Sequence, residues 1–483
     1  MTAPPPVGAR DALRIGRLDA HGQAALIRSG EVSAAELVEA AILRVEILDP
    51  RINALSHRAF DMARDRARAS ARPSDDRPMA GVPMLIKDSL RYPGLPAGAG
   101  SRSRGAEPST EAYPFIQRFD DQGLIPLGMS NMAEFGLLIS TEPLRYGPTC
   151  NPWALDRSAG GSSGGAAAAV AAGLTALAHG SDGAGSIRVP AAVCGVVGFK
   201  PSRGANLRAR SAHWLDDMLC SDAMIARSVR DAAWAFAAAR QTRQAPVTRP
   251  GERRLRIGLV MDGMNGEPPH VDAADAILKT AELCRALGHT VEDAARPAAA
   301  AGLLDSLLTV LWPFLGREAV DHCLDMSGGR PLDDLLEPWT IGLAEHCAKV
   351  TPAALEAAFA ALSRAPTTTR AFFEAYDVML SPVIAERTAR IGELAPTRPF
   401  EELMQAFIRY APYTPLQNVA GSPAISLPLF ETPDGLPTGS MFAADRGGDD
   451  LLLALALELE QALPWAERQP SIYTAAMREA DAA

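Results

Sequence analysis

The stretch SAGGSSGGAAAAVAAG, Ser158 to Gly173, limits what this chain can fold into more than any other. Five glycines and three serines fall within sixteen residues, and the glycines give way at once to alanine. Glycine loses the most backbone freedom on ordering, so a cluster of it marks backbone that must take unusual angles or come close to something. The alanine run after it predicts helix. A phosphate cradle, a flexible linker and a loop presenting serines in a strained site all meet this description. A phosphate loop of the Walker kind needs G-x-x-x-x-G-K-[ST], and no lysine follows Gly165. The dinucleotide pattern G-x-G-x-x-G does not match GGSSGG at 160–165. A linker is rarely followed at once by a helix former and then a second glycine-serine cluster, here GSDGAGSIRVPA at 180–191. The serine-presenting loop is the reading that survives.

In the second cluster Ser186 follows Gly183-Ala184-Gly185 and is expected to open a short helix. Successive backbone N–H groups in such a turn converge on one point, which is how an oxyanion hole is built. A serine nucleophile there needs a base. The nearest histidine, His179, lies seven residues upstream inside an expected strand, and no G-x-S-x-G elbow surrounds Ser186. Lys87 ends the apolar run Val82–Ile86 in GVPMLIKDS, residues 81–89, which reads as a buried strand. Desolvation lowers an ammonium pKa, and a neutral lysine is a competent base. A strand-end lysine paired with Asp88 or another acid fits the same residues, so the two readings stand side by side.

The rest of the chain sets the frame. Its 483 residues suit two or three domains or one large α/β core. The net charge of −10 opposes general nucleic-acid binding. The N-terminus lacks a basic segment followed by an apolar run, and the alanine-rich 164–178 is too short and weakly apolar to span a membrane. A cytoplasmic protein with no membrane or nucleic-acid partner is expected. The six cysteines are widely and irregularly spaced, which reads as reduced thiols. His322–Cys323 and His346–Cys347 are adjacent rather than three or four apart, so no metal site is expected. Ser33-x-x-Glu36 forms a capping box before a helix over 33–48 that should end near Pro50. Residues 61–72 predict a helix, and 113–130 a helix followed by a strand. Strands are expected at 174–180 and 195–202 with a short helix between them, and at 255–262 and 289–293 around a helix at 271–288. Residues 246–252 read as a polar connector and 300–375 as wholly helical, with Leu303, Leu304, Leu307, Leu308, Leu311, Trp312 and Phe314 on or near one face. Late strands at 376–382 and 422–430 and a closing helix at 449–463 complete the pattern. This alternation predicts an α/β fold, a mixed or parallel sheet with helices on both faces. The only low-complexity stretch is the proline run near the N-terminus.

Lys87-Asp88 after an apolar strand, GGSSGG and GSDGAGSIRVPA, with Ser162 and Ser186 24 residues apart, resemble the amidase signature family in order and spacing. SNMAEF (130–135), YGPTCNPW (146–153), CGVVGFKPS (194–202), YDVMLSPV (376–383) and NVAGSPAISLPL (418–429) resemble further family segments, so the likeness covers most of the chain. The resemblance implies the amidase signature fold, a large mixed β-sheet core flanked by α-helices on both faces. It implies one such domain over 1–483, with an N-terminal helical segment 1–75, a catalytic core 80–245 and a variable helical region 300–375 over the site. It also implies a Ser–Ser–Lys triad: Ser186 as nucleophile, Ser162 as proton relay after a cis peptide bond from Gly161, and Lys87 as general base. Backbone N–H groups of Gly183, Ala184, Gly185 and Ser186 would line the oxyanion hole, supported by Ser163, Asp182 and Arg188. The implied reaction is hydrolysis of a linear amide through an acyl-enzyme, with esters, carbamates (urethanes) and aryl amides as variants and with no metal or organic cofactor. The alternative is a glutamine-hydrolysing subunit of a tRNA-dependent amidotransferase. The implied partner is a small-molecule amide, ester or carbamate, and a homodimer is compatible with the size.

The chain departs from the family pattern in places. The family often reads D-T-G-G-S where this chain has Asp182-Gly183-Ala184-Gly185-Ser186, and a positive φ at Ala184 would be strained. Pro143 and LGMSN (127–131) also differ, away from the triad, at the expected substrate pocket. In the loop 207–219, Trp214, Leu215, Met218 and Leu219 suit either a lid or core packing.

Overall fold

The computed structural model describes residues 7–326 and 328–482; the proline run near the N-terminus lies outside them. The first strands are β1 (Leu55–Arg58), β2 (Pro83–Lys87) and β3 (Ile125–Ser130), followed by a short hairpin of β4 (Cys150–Asn151) and β5 (Ala154–Ser158). Then come β6 (Leu177–Asp182), β7 (Gly198–Lys200), β8 (Ser221–Ala226), β9 (Arg256–Leu259), β10 (Thr290–Asp293), β11 (Val378–Pro382), β12 (Ala424–Glu431) and β13 (Pro437–Ala443). A five-stranded sheet runs β1-β3-β2-β6-β8 and a six-stranded one β10-β9-β11-β13-β12-β7. Paired hydrogen bonds between Val197 and Ala226, 2.9 and 3.1 Å, join the two edge to edge. Parallel and antiparallel pairs mix: β2 is parallel to β3 and β6, whereas β8, β12 and β13 pair antiparallel.

The strand residues explain why helices cover both faces. Side chains alternate across a strand. Leu85, Ala178, Ile225, Met379 and Met441 enter one apolar core, and their neighbours Met84, Ile86, Leu177, Met224, Leu380 and Phe442 enter the other. A sheet buried on both faces reads as a continuous apolar run, which is what GVPMLIKDS showed.

The capping box forms as expected. Ser33 Oγ accepts from the Glu36 N–H and opens the helix Ala34–Ile52. That helix passes Pro50 and stops at Asn53, which adopts the left-handed conformation with φ +53°. Proline so near the end removes little, since the chain turns out of the helix directly after it. Helices at Phe60–Ala69, Pro114–Asp121, Arg188–Cys194, Val271–Ala286 and Asp449–Ala462 fall where periodicity placed them. Between residues 300 and 375 the helix is not continuous. It contains a π-helical turn over Ser306–Leu311, and breaks separate Trp312–Met326, Leu332–Leu335, Pro338–Cys347 and Pro352–Ala375. β8 (SDAMIA) and β13 (PTGSMFA) had no strand signal, because small and polar residues hide the alternation.

The alanine run is the helix Gly164–Ala171, and every residue in it is buried. A helix enclosed on all sides needs small side chains to let its neighbours approach, and Ala166 to Ala169 provide them.

Candidate active site

Lys87 sits at the C-terminal end of β2, and Asp182 at the C-terminal end of the adjacent parallel β6. Ligands of open α/β sheets bind beyond such carboxyl ends. The Lys87 ammonium is fully buried and donates to Ser162 Oγ at 2.7 Å and to Ser181 Oγ at 2.9 Å. It does not pair with Asp88, whose carboxylate instead accepts the backbone N–H groups of Gly98 and Gly100 at 3.0 Å each. Burial, then the charge of Arg210, lowers the Lys87 pKa to about 7. Its amine therefore crosses between charged and neutral near neutral pH.

The peptide bond between Gly161 and Ser162 is cis. Gly161 is required by close approach: a Cβ there would stand 2.6 Å from the Ser140 carbonyl carbon. The glycine-serine loop thus packs directly on neighbouring backbone. Ser163 binds the pieces together. Its N–H donates to the Ser186 carbonyl at 3.3 Å, and its hydroxyl donates to the Ser181 carbonyl at 3.3 Å.

Ser186 stands two residues ahead of the helix Arg188–Cys194 rather than opening it. Among the described residues its hydroxyl has no hydrogen-bond partner, and the residue is 7% exposed. The backbone N–H groups of Gly183, Ala184 and Ser186 are likewise unpartnered among the described residues, but that of Gly185 donates to Asp182 Oδ1 at 2.7 Å. Gly185 is therefore removed from the expected donors of the hole, because the Asp182 carboxylate already holds its N–H. The strain feared at Ala184 is absent. The left-handed position is Gly185, φ +134°, where a Cβ would lie 2.3 Å from Thr414 Oγ1.

Asp182 anchors this turn. It takes the N–H of Ile187 at 3.1 Å and pairs with Arg188 at 2.9 Å, both side chains fully buried. Asn418 Nδ2 reaches the Asp182 carbonyl at 2.9 Å, and Arg188 returns a bond to Asn418 Oδ1 at 2.6 Å. Burial alone would raise the Asp182 carboxyl, but Arg188 and these hydrogen bonds outweigh it and hold the group well below the usual carboxylate range. His179 is spoken for at both nitrogens: Nδ1 accepts the Lys87 N–H at 3.4 Å, and Nε2 meets Asp222 at 3.1 Å.

Ser181, Thr414, Asn418 and the Phe135–Leu137 loop were not singled out from the sequence. Ser181 had a signal, one residue before the flagged Asp182 in a strand running toward the site. The loop comes close: a Cβ on Gly136 would lie 3.3 Å from Ser162 Oγ, and the Leu137 carbonyl accepts from the indoles of Trp312 and Trp339 at 3.0 Å each. Through Trp312, the 303–347 helices reach the site; its ring would lie 3.6 Å from a Cβ on Gly183. A cavity of about 450 Å³ opens beside Phe135, Leu137 and Arg210. In the loop 207–219, Leu215 and Leu219 are buried in the core, while Trp214 is exposed and meets Phe359 at a tilt of 46° with ring centroids 5.6 Å apart.

Helices cover both faces of mixed sheets, and at their strand ends a buried lysine is bonded to Ser162 and Ser181 while Ser163 bonds to the Ser186 carbonyl. The chain belongs to the amidase family, whose model matches residues 36–453, and it is a hydrolase of amide carbon–nitrogen bonds. It is 38% identical to amidase AmiC of Mycobacterium leprae over 94% of this chain and 97% of that protein. The solved 6-aminohexanoate cyclic dimer hydrolase, complexed with its substrate, superposes with a TM-score of 0.85 at 34% identity, covering 95% of this chain and 99% of that one. A bacterial aryl acylamidase superposes with a TM-score of 0.80 at 26% identity, over 95% and 98% of the two chains. No helix among the described residues is long and apolar enough to cross a membrane.

Proposed function

We propose that the protein cleaves linear amides through an acyl-enzyme on Ser186, with Ser162 and Lys87 moving the proton. The observation that carries this reading is the Lys87 Nζ to Ser162 Oγ contact of 2.7 Å, made by a buried amine with no carboxylate partner among the described residues. A neutral Lys87 takes the Ser162 proton while Ser162 takes that of Ser186, and Ser186 Oγ attacks the acyl carbon. The free N–H groups of Gly183, Ala184 and Ser186 stabilise the oxyanion. The proton then passes by way of Ser162 to the leaving nitrogen, the C–N bond breaks, and water resolves the ester by the same route. Ser163, Asp182 and Arg188 hold the two turns in place. The aryl acylamidase supports aryl amides within this class, the cyclic-dimer hydrolase is named for a cyclic amide and supports only the type of bond cleaved, and the same chemistry extends to esters and carbamates.

The test is a screen of the purified protein against aryl amides, aryl carbamates, esters and glutamine, with Ser186→Ala as control. Turnover of aryl amides that falls by about a thousandfold or more in the variant is expected. Activity that survives the substitution rejects Ser186 as nucleophile, and turnover of glutamine alone rejects the free-standing amidase.

A further inference from the structure

The cavity beside the Phe135–Leu137 loop is lined by three arginines, Arg91, Arg104 and Arg210, with His213, His322, Asp216 and Glu318 among them. Most of these charges are answered. Arg210 pairs with Asp222, Arg91 with Glu111, and His213 Nε2 lies 3.0 Å from Glu318 Oε2. Asp216, also on the wall, is engaged by the Cys220 thiol at 3.5 Å. Arg104 is the exception, with no carboxylate partner among the described residues. Its Nη1 lies 3.2 Å from His322 Nε2, so the neutral imidazole must accept there. Its guanidinium carbon sits 5.6 Å from the centroid of the Phe135 ring. Burial, then the nearby Arg91 charge, pushes its pKa down, as expected where positive charge is in excess. The backbone that carries it is tied down, since Arg145 Nη1 donates to the Arg104 carbonyl at 2.8 Å. Phe135, under the guanidinium, directly precedes Gly136, which packs against Ser162 Oγ. Arg104, an exposed residue with no carboxylate partner among the described residues, and Ser162 thus border the same short loop.

We propose that Arg104 receives a carboxylate carried by the substrate at the end remote from the scissile amide. The preferred substrates are then half-amides of dicarboxylic acids or amides of ω-amino acids, rather than neutral amides of equal length. A guanidinium that lacks a carboxylate of its own and faces a cavity gains a charge-assisted hydrogen bond from such a ligand, and aromatic backing fixes its plane. This assignment rests on the Ser186 reading, and its test is arranged to separate the two.

Two matched pairs serve as probes. Adipic mono-anilide against hexanoic anilide places the carboxylate on the acyl side, and N-benzoyl-β-alanine against N-benzoyl-propylamine places it on the amine side. Arg104→Ala is expected to raise KM for the charged member of one pair by about tenfold to a hundredfold, with kcat little changed. The neutral member should be unaffected, and Arg104→Lys should recover much of the loss. The pair that responds identifies the end Arg104 binds. Binding of the same compounds to Ser186→Ala, with and without Arg104→Ala, is measured by calorimetry and does not depend on turnover. A binding difference that depends on Arg104, together with turnover that survives in Ser186→Ala, supports the Arg104 assignment and overturns only the Ser186 reading. Equal binding of charged and neutral compounds, or an Arg104→Ala effect equal on both members of each pair, overturns the Arg104 assignment.

Discussion

At the scale of the residue, the decisive property is the charge state of Lys87. Its pKa, brought down to about 7 by burial and by Arg210, means that the neutral base accumulates as pH rises through that value. The rate of amide turnover should therefore climb from about pH 6 and level off above about pH 8. A flat profile across that window would remove Lys87 from the base role. Lys87→Ala should lower amide turnover by about 10²–10⁴-fold, measured on an aryl amide. The same shift bears on stability. A folded-state pKa below the unfolded value means that the unfolded chain binds the extra proton, so this group's penalty is fullest below pH 7 and fades toward the unfolded value. Lys87→Met should accordingly raise the midpoint of chemical unfolding, more at about pH 6 than at about pH 9; a gain that is equal at both, or larger at the higher pH, contradicts the assignment. Lys87 was legible in the sequence as a choice between base and ion pair, and the geometry removes the ion pair with Asp88. Asp88, the obvious partner, has its carboxylate turned to the backbone of Gly98 and Gly100. The Gly185 N–H was misassigned because sequence shows that a turn is glycine-rich, not which of its donors a nearby carboxylate has already taken.

At the scale of the element, the turn after β6 is held by a buried pair spanning six residues and tied to the helix Pro415–Ala420. Asp182 meets Arg188 at 2.9 Å, and Asn418 contacts both. Removing one partner of such a pair strands the other charge without water. Asp182→Ala should cost about 3–5 kcal/mol of stability in denaturant unfolding, while replacing Asp182 and Arg188 together with apolar residues should cost much less. Equal losses from the single and double changes would show that the pair is not the source of the rigidity. Elements with strong periodicity were legible: the capped helix Ala34–Ile52, the strand carrying Lys87 and the helix Val271–Ala286. β8 and β13 were not, because what makes them strands is their pairing, β8 along β6 and β13 between β11 and β12, rather than their side chains. The breaks within 303–375 escaped as well, since leucine spacing alone reports helix and not where one helix hands over to the next.

At the scale of the whole molecule, Lys87, Ser162 and Ser186 come from segments far apart in sequence that the sheet and the Ser163 bonds bring together, while the surfaces around them come from elsewhere. Trp214 and Phe359 meet ring against ring at a tilt on the outside, on two helices far apart in sequence, and His213 next to Trp214 borders the cavity. Trp214→Ala should change stability by under about 1 kcal/mol and alter KM for bulky amides more than for small ones. A large stability loss with unchanged KM would place Trp214 in the core instead. The order and spacing of the motifs carried the fold class and the family, because both follow from local patterns repeated along the chain. Substrate preference was illegible, because the cavity wall draws on residues near positions 91, 104, 135, 210 and 322 that no spacing rule links. The enclosed alanine helix behind Ser162 has one more consequence. An element with no solvent-facing side offers natural variation almost no neutral positions, whereas the loops and helices around the cavity offer many. Relatives of this chain are free to diverge in what they accept while the machinery that breaks the bond stays put, so a change of diet in this lineage would be written in the rim and not in the hub.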